Sequence, residues 1–387
     1  MSIGPRTGPG RGRQAMTTVG DVLGAVDILA PFRLAEPWDH VGLILGDAEW
    51  RVRRILVSLG VSEAVVAEAE RVRAEALLVH HPLLFSPVDR LTGETPAGRL
   101  AVRLLGAGRA LIAAHTNLDG AKGGLCDLLA QEAGLQDIEP LHPAPEGKRY
   151  KVVVFLPKAD LEAVRAAAFG AGAGAWAGAG RIGEYAECGF SVEGTGTFRP
   201  SEKARPVAGK KGQRNAVSEH RLEFVVEEGG LGAVVAAVGR AHSYEEPAID
   251  IYPLHPRPSG AGVGRIGRFA KPRTPAKLAA EIRRALGAKA VRVAGPNDRP
   301  IERMAVGTGS GGGLVEAAIA SGCQAYLTGE LKYHEVEDLA ARGVTVVLGG
   351  HYRTERVPLE AWAGRLAKSL GAEVRMSEAE EDCLRPG

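Results

Sequence analysis

Ala76-Leu77-Leu78-Val79-His80-His81-Pro82-Leu83 is an apolar run of four residues that stops at two histidines and a proline. Its length and composition suit a β-strand covered on both faces, as in a parallel sheet. The pattern occurs twice more. Leu111-Ile112-Ala113-Ala114 leads into His115-Thr116-Asn117-Leu118-Asp119, and Val344-Thr345-Val346-Val347-Leu348 leads into His351-Tyr352-Arg353-Thr354-Glu355. In α/β sheets, ligands gather beyond the carboxyl ends of strands. Three such ends carrying His, Asp and Glu predict a metal site at one end of one sheet.

The surrounding sequence alternates. Strands are expected at residues 54–59, 76–79 and 110–114, and helices at 63–74, 96–105 and 124–133. Pro96 suits a first helical turn, where no amide donor is needed. This alternation with short loops reads as βαβ units and a mainly parallel sheet. The same style returns after residue 262, with helices at 275–286, 313–321, 334–341 and 359–370 and strands at 290–293, 304–306, 324–328 and 344–348. Trp362, Leu366 and Leu370 share one face of the last helix, and Pro358 is expected in its first turn.

Between these stretches the composition changes. A linker at 142–147 opens a segment with strands at 150–156, 187–193, 221–226 and 249–252 and helices at 159–168 and 231–240. That β-α-β-β-α-β order suits a ferredoxin-like sandwich. It also holds a Gly/Ala run at 170–180. A polar stretch at 198–220 carries Lys203, Arg205, Lys210, Lys211 and Arg214. It reads as a solvated loop, with a phosphate-attracting flap as the alternative. The expected architecture is a split α/β core with a mainly parallel sheet, interrupted by an inserted ferredoxin-like α+β domain. The boundaries are a disordered leader at 1–15, core halves at 16–148 and 259–372, the insert at 149–258, and a tail at 373–387.

At 387 residues the chain exceeds one ordinary core. With 45% hydrophobic and 24% charged residues it has the composition of a globular protein. A net charge of +2 gives no reason to expect nucleic acid as a partner. No apolar run approaches the ~18 residues of a membrane helix. Cys126, Cys188, Cys323 and Cys383 form no C-x-x-C pair, so neither a zinc knuckle nor a thioredoxin-type motif is present. Such sparse thiols suggest a reducing, cytoplasmic setting. The first fifteen residues lack the apolar core of a signal peptide, and Met16 is an alternative start.

At a strand end entering a proline turn, His80 and His81 can splay toward two neighbouring points, which suits a pair of metal ions. Asp119 adds a carboxylate from the next strand. His351 and Glu355, four apart across a turn into a helix, can face one point. Three imidazoles and two carboxylates suit zinc, manganese, iron, nickel or cobalt better than calcium or magnesium. Two divalent ions would keep positive charge after the carboxylates are counted. They would favour an anionic substrate and draw the pKa of water from ~15.7 toward ~7. His115 is expected to orient Asp119 or a water, and His115 and Glu330 are candidates for proton transfer. Residues 307–312 fit G-x-G-x-x-G, a weak dinucleotide signal in a chain with 52 glycines. The preferred reading is an anion cradle built from Gly309, Ser310 and Gly311, or a plain tight turn.

These residues resemble the GTP cyclohydrolase I type 2 homologues, also called the NGG-one-interacting-factor-three-like family. The resemblance lies in Trp38-Asp39-His40-Val41-Gly42-Leu43, His80-His81-Pro82-Leu83-Leu84-Phe85, His115-Thr116-Asn117-Leu118-Asp119, Gly309-Ser310-Gly311, Thr328-Gly329-Glu330 and Gly350-His351-Tyr352-Arg353-Thr354-Glu355. It implies a two-metal centre held by His80, His81, Asp119, His351 and Glu355, with Glu355 bridging. It also implies a toroidal homohexamer whose sites face an inner cavity. His40 departs from the family's usual Asn, which would add a ligand or alter substrate contacts. The insert resembles the PII- and CutA-like domain of longer members through Gly183-Glu184-Tyr185, Gly194-Thr195-Gly196-Thr197-Phe198 and His242-Ser243-Tyr244-Glu245-Glu246-Pro247. Such a domain implies a lid or a trimeric contact. His242 with Glu245 or Glu246 is either a metal or ligand site or a packed loop. The expected activity is metal-dependent hydrolysis of a nucleotide or related phosphorylated or purine-like substrate. The alternatives are a non-catalytic regulatory or metal-chaperone ring, and NAD binding at residues 307–312.

Overall fold

The computed structural model describes residues 17–145, 147–171, 179–183, 185–255 and 258–384. The leader at 1–15 and most of the Gly/Ala run lie outside the described residues. The chain divides into two compact units, residues 1–144 with 259–387, and residues 145–258.

The first unit is built on two mixed sheets, where the sequence suggested one. In the first, Gly42–Leu45, Ala110–Ala113, Ala76–Val79, Arg54–Ser58 and Glu373–Met376 lie side by side. All neighbours are parallel except Gly42–Leu45, which runs antiparallel. Ala76–Val79 and Ala110–Ala113 are buried along their whole length. Successive residues face opposite sides of the sheet. Leu78 and Ile112 therefore pack with Val22, Val26, Trp362 and Leu366, while Leu77 and Leu111 pack with Val65, Val66, Leu100 and Leu104. Helices on both faces keep these short strands dry, which is why they are apolar throughout.

The second sheet has the order Arg292–Ala294, Thr345–Leu348, Ala325–Thr328, Ile301–Val306, Pro258–Arg273, Gln136–Pro145. Thr345–Leu348, Ala325–Thr328 and Ile301–Val306 are parallel, and Arg292–Ala294 and Pro258–Arg273 are antiparallel to their neighbours in that trio. Leu278 and Ile282 cover one face and Leu339 and Ala318 the other.

Three sequence expectations change. Residues 142–145 belong to a strand and not to a linker. Residues 373–376 are a sheet strand and not a tail. Residues 377–380 beyond that strand are tied down on the first sheet. Glu68 accepts from the Ser377 hydroxyl and from the amides of Glu378 and Ala379, and Glu380 accepts from the amides of Leu59 and Gly60. The last long helix begins at His351, eight residues earlier than expected, and contains Pro358. An interior proline removes one i→i−4 bond, and the buried Leu359, Trp362 and Leu366 hold the helix together around it.

The second unit has the element order β-α-β-β-α-β: Arg149–Leu156, Leu161–Gly170, Gly189–Phe198, Asn215–Glu227, Glu228–Ala241, Ala248–Pro253. Its four strands are antiparallel in the spatial order second, third, first, fourth. Val164, Ala168, Val234 and Val238 from the two helices pack on Val152, Val154, Leu222 and Phe224. Lys203, Arg205, Lys210, Lys211 and Arg214 are all exposed on the loop between the second and third strands. Among the described residues, no helix is long and apolar enough to cross a membrane.

Candidate metal centre

His80 and His81 come directly after Ala76–Val79, and the sheet ladder carries on through them. The His80 amide donates to the Ser58 carbonyl and the His81 amide to the Leu59 carbonyl. The two rings then diverge, with centroids 5.0 Å apart and planes inclined at 48°. His80 is fully buried, and its Nδ1 is 2.9 Å from the Ala114 carbonyl, which accepts its proton. That bond sets the tautomer and leaves Nε2 with its lone pair.

Asp119 comes from the short helix Thr116–Gly120 that succeeds Ala110–Ala113. Its Oδ2 is 3.6 Å from His80 Nε2, and its Oδ1 accepts from the Thr308 hydroxyl at 2.6 Å. From the second sheet, His351 and Glu355 occupy the first turns of their helix at i, i+4 spacing, with Nε2 and Oε1 3.1 Å apart. Glu355 also places Oε1 3.7 Å from His80 Nε2 and Oε2 3.0 Å from His81 Nε2. One buried carboxylate thus reaches three imidazoles from two sheets. His81 Nε2 and His351 Nε2 are 3.5 Å apart. Behind His351, the Glu330 carboxylate lies 3.1 Å from Nδ1 and fixes the ring so that Nε2 faces inward.

The residues fit a cation. His80 Nε2 and Glu355 Oε2 are buried polar atoms without a hydrogen-bond partner. His81 Nε2 approaches Glu355 Oε2 closely without the alignment of a hydrogen bond. Such orphaned atoms are costly unless something else binds them. His81, His351 and Glu355 place ligand atoms within 4.8 Å of one another, and so do His80, His81 and His115. Gly309 makes room, because a Cβ there would lie 2.0 Å from Glu355 Oε1, and its φ of +51° favours glycine.

Without a cation, protons must balance the carboxylates. Burial opposes charge on His80, but Asp119 and Glu355 outweigh it and push its pKa up to about 9. The hydrogen bond to Glu355 lifts His351 to about 9. Burial raises Asp119 above the usual carboxylate range. Burial also opposes ionisation of Glu355, but His80 and His351 hold it well below that range. A buried acid–imidazole cluster of this kind exchanges protons for metal.

The contacts of His115 bear on one of its expected roles. It does not orient Asp119, which Thr308 holds instead. Its Nδ1 is 2.9 Å from Asp39 Oδ1, while Asp39 Oδ2 accepts from the Thr116 amide and hydroxyl. Burial raises the Asp39 carboxyl, but the bonds from His115 and Thr116 outweigh it and hold it far below its usual value. The His115 ring stands 5.0 Å from that of His80 and 5.6 Å from that of His81. Asp39 and Thr308 were not singled out from sequence. Their only signals were the Trp38-Asp39-His40 motif and the glycine-rich loop.

Two amides of that loop are already engaged. The Gly309 amide donates to the Thr354 hydroxyl at 3.2 Å and the Gly311 amide to the Glu330 carbonyl at 3.2 Å, so neither is free to hold an anion. Against a dinucleotide reading, Glu330 is engaged with His351 and the helix behind the loop has six residues. Glu330 backs His351. His40 is exposed and belongs to neither ligand group. In the second unit, His242 Nε2 is 3.0 Å from the Phe155 carbonyl and its Nδ1 accepts from the Tyr244 amide. Both ring nitrogens are engaged, so His242 itself is packed, while Tyr244, Glu245 and Glu246 line a cavity of about 380 Å³.

The cluster opens on a cavity of about 750 Å³ whose walls include Trp38, Phe85, His115, Cys126, Ser310 and His351. Burial pushes the Cys126 thiol up to about 11, which disfavours its thiolate.

The fold and the cluster define an α/β protein with a buried histidine–carboxylate site where strands of two sheets end. The family model DUF34/NIF3 (NGG1p interacting factor 3) matches residues 17–383, and the chain belongs to this family. A Mycobacterium tuberculosis protein named GTP cyclohydrolase 1 type 2 homolog is 40% identical over 356 residues, 91% of each chain. A Bacillus subtilis protein of the same name is 35% identical over 91% of this chain and 94% of its own. A solved Bacillus cereus protein related to NIF3 is 34% identical, with a TM-score of 0.82 over 97% of this chain and 100% of that one.

Proposed function

We propose that the chain is a metal-dependent hydrolase with two divalent ions per subunit, acting on a nucleotide or a related phosphorylated or purine-like substrate. The observation that carries this is the Glu355 carboxylate, whose oxygens reach His80, His81 and His351 while a ligand atom of His80 has no other partner. His80, Asp119 and Glu355 would hold one ion, and His81, His351 and Glu355 the other. We prefer Asp119 to His115 in the first group because a cation gains more from a partly buried carboxylate than from a third imidazole. Zinc, manganese, iron, nickel or cobalt would match these donors. Bound there, two such ions supply Lewis-acid activation of water near neutral pH and charge complementarity to an anion. His115, held by Asp39, faces the cavity and carries protons. Glu330 keeps His351 in its ligand orientation, and Gly309 leaves space for Glu355. The names of the similar proteins support a purine nucleotide as substrate.

The strand order and helix placement of the second unit support a ferredoxin-like insert. A toroidal homohexamer remains part of the proposal, to be checked by mass in solution. Burial of His80 and Glu355 equally suits tight metal retention without turnover, the property of a metal-dependent regulatory or chaperone ring. Elemental analysis and then a nucleotide and phosphoester panel, with each metal restored, separate the readings. Two ions per chain and metal-dependent turnover support the hydrolase. Full metal content with no turnover favours the ring, and turnover undiminished after metal removal excludes the mechanism.

A further inference from the structure

Trp38 and Phe85 are both large, apolar and exposed, at 54% and 53%. Isolated exposed aromatics are ordinary. These two are not isolated. Their rings are 5.8 Å apart and inclined at 44°, and both line the cavity of the candidate metal centre. His115 stands edge-on to each, with centroids 6.2 and 6.3 Å away. The pair is therefore one imidazole away from the ligand histidines.

Both rings are mounted on short, anchored arms. On either side of Trp38, the Glu36 amide donates to the Thr116 hydroxyl and the Asp39 carboxylate holds Thr116 and His115. Phe85 lies four residues after His81, and the intervening Leu83 and Leu84 pack on the sheet core. The elements that position the metal ligands thus also hold an aromatic pair with about half of its surface in solvent. An apolar wall beside a few convergent polar groups is what orients a ligand in a pocket.

We infer that Trp38 and Phe85 form a stacking platform for a planar, π-rich ring of the substrate while its anionic part faces the metal centre. The inference rests on the proposed function and adds the class of ring and the residues that select it. Stacking on an aromatic side chain tolerates any flat base, so the platform would select for a ring and not for one hydrogen-bond pattern.

The test is equilibrium binding of GTP and of inorganic triphosphate to the metal-loaded full chain, compared with Trp38→Ala, Phe85→Ala and Trp38→Phe. The expected result is a preference for GTP of about tenfold or more in the wild type. Either alanine variant should lose most of it with triphosphate affinity unchanged, and Trp38→Phe should keep most of it. Equal binding of both probes by the wild type overturns the platform and leaves the metal-centre reading standing. Absence of binding by either probe overturns both. A Trp38→Ala protein that keeps its preference, or that changes only its oligomeric mass, also overturns the platform and in the latter case marks the pair as a contact between subunits.

Discussion

The Glu330 carboxylate lies 3.1 Å from His351 Nδ1, on the side of the ring opposite the Nε2 that faces Glu355 and His81. A carboxylate in that place fixes the tautomer and raises the basicity of the inward nitrogen. Glu330→Ala should weaken metal binding about 10- to 100-fold, with Glu330→Gln intermediate. Chelator competition measures this. Unchanged affinity in Glu330→Ala would show that His351 needs no such support.

Asp39 has the corresponding role toward His115, but His115 is assigned to proton transfer and not to metal. Asp39→Asn should therefore retain full metal content while turnover falls by about 100-fold. Loss of metal in this variant would instead make His115 a ligand, in line with its closeness to His80 and His81.

Gly309 separates space from chemistry. Alanine there would put a methyl group 2.0 Å from Glu355 Oε1 on a backbone at φ +51°. Gly309→Ala should cost about 1–3 kcal/mol in backbone strain and displace the Glu355 carboxylate. The expected outcome is a folded protein with reduced metal content, read by elemental analysis beside a thermal melt. Unaltered metal content would show that Glu355 can move without consequence.

Glu68 ties the C-terminal segment to the first sheet. Burial raises its pKa, but the bonds from Ser377, Ala379 and Glu378 prevail and lower it. A depressed pKa contributes stability that is full above the unfolded value of 4.5 and is lost as pH falls through the lower folded value. Glu68→Gln should be less stable than wild type by about 1–2 kcal/mol at pH 7, a difference that shrinks in strong acid. Denaturant melts at the two pH values check this, and a pH-independent difference would contradict it.

Much of the candidate site was legible because strand ends advertise themselves. Apolar runs ending in His80, His115 and His351 mark where the chain leaves a sheet, and the ladder continuing through His80 and His81 accounts for their divergence. The partition into two sheets was hidden, since a run such as Ala76–Val79 records burial and not which strand it meets. Pro358 misled for a physical reason, because the rule that places proline in first turns carries no weight where buried neighbours support the helix. Glu373–Met376 has two charges in four residues and is a strand through its pairing with Arg54–Ser58. Asp39 acts through His115, 76 positions away, a distance that sequence spacing cannot bridge.

The most direct measurement is metal stoichiometry of the wild type and of Glu355→Ala after metal restoration and removal of excess. Two ions per wild-type chain and at most one in the variant are expected, because among the described residues Glu355 is the carboxylate that reaches both groups of imidazoles. A wild type that retains no divalent ion, or a variant that retains two, would contradict a centre shared through Glu355.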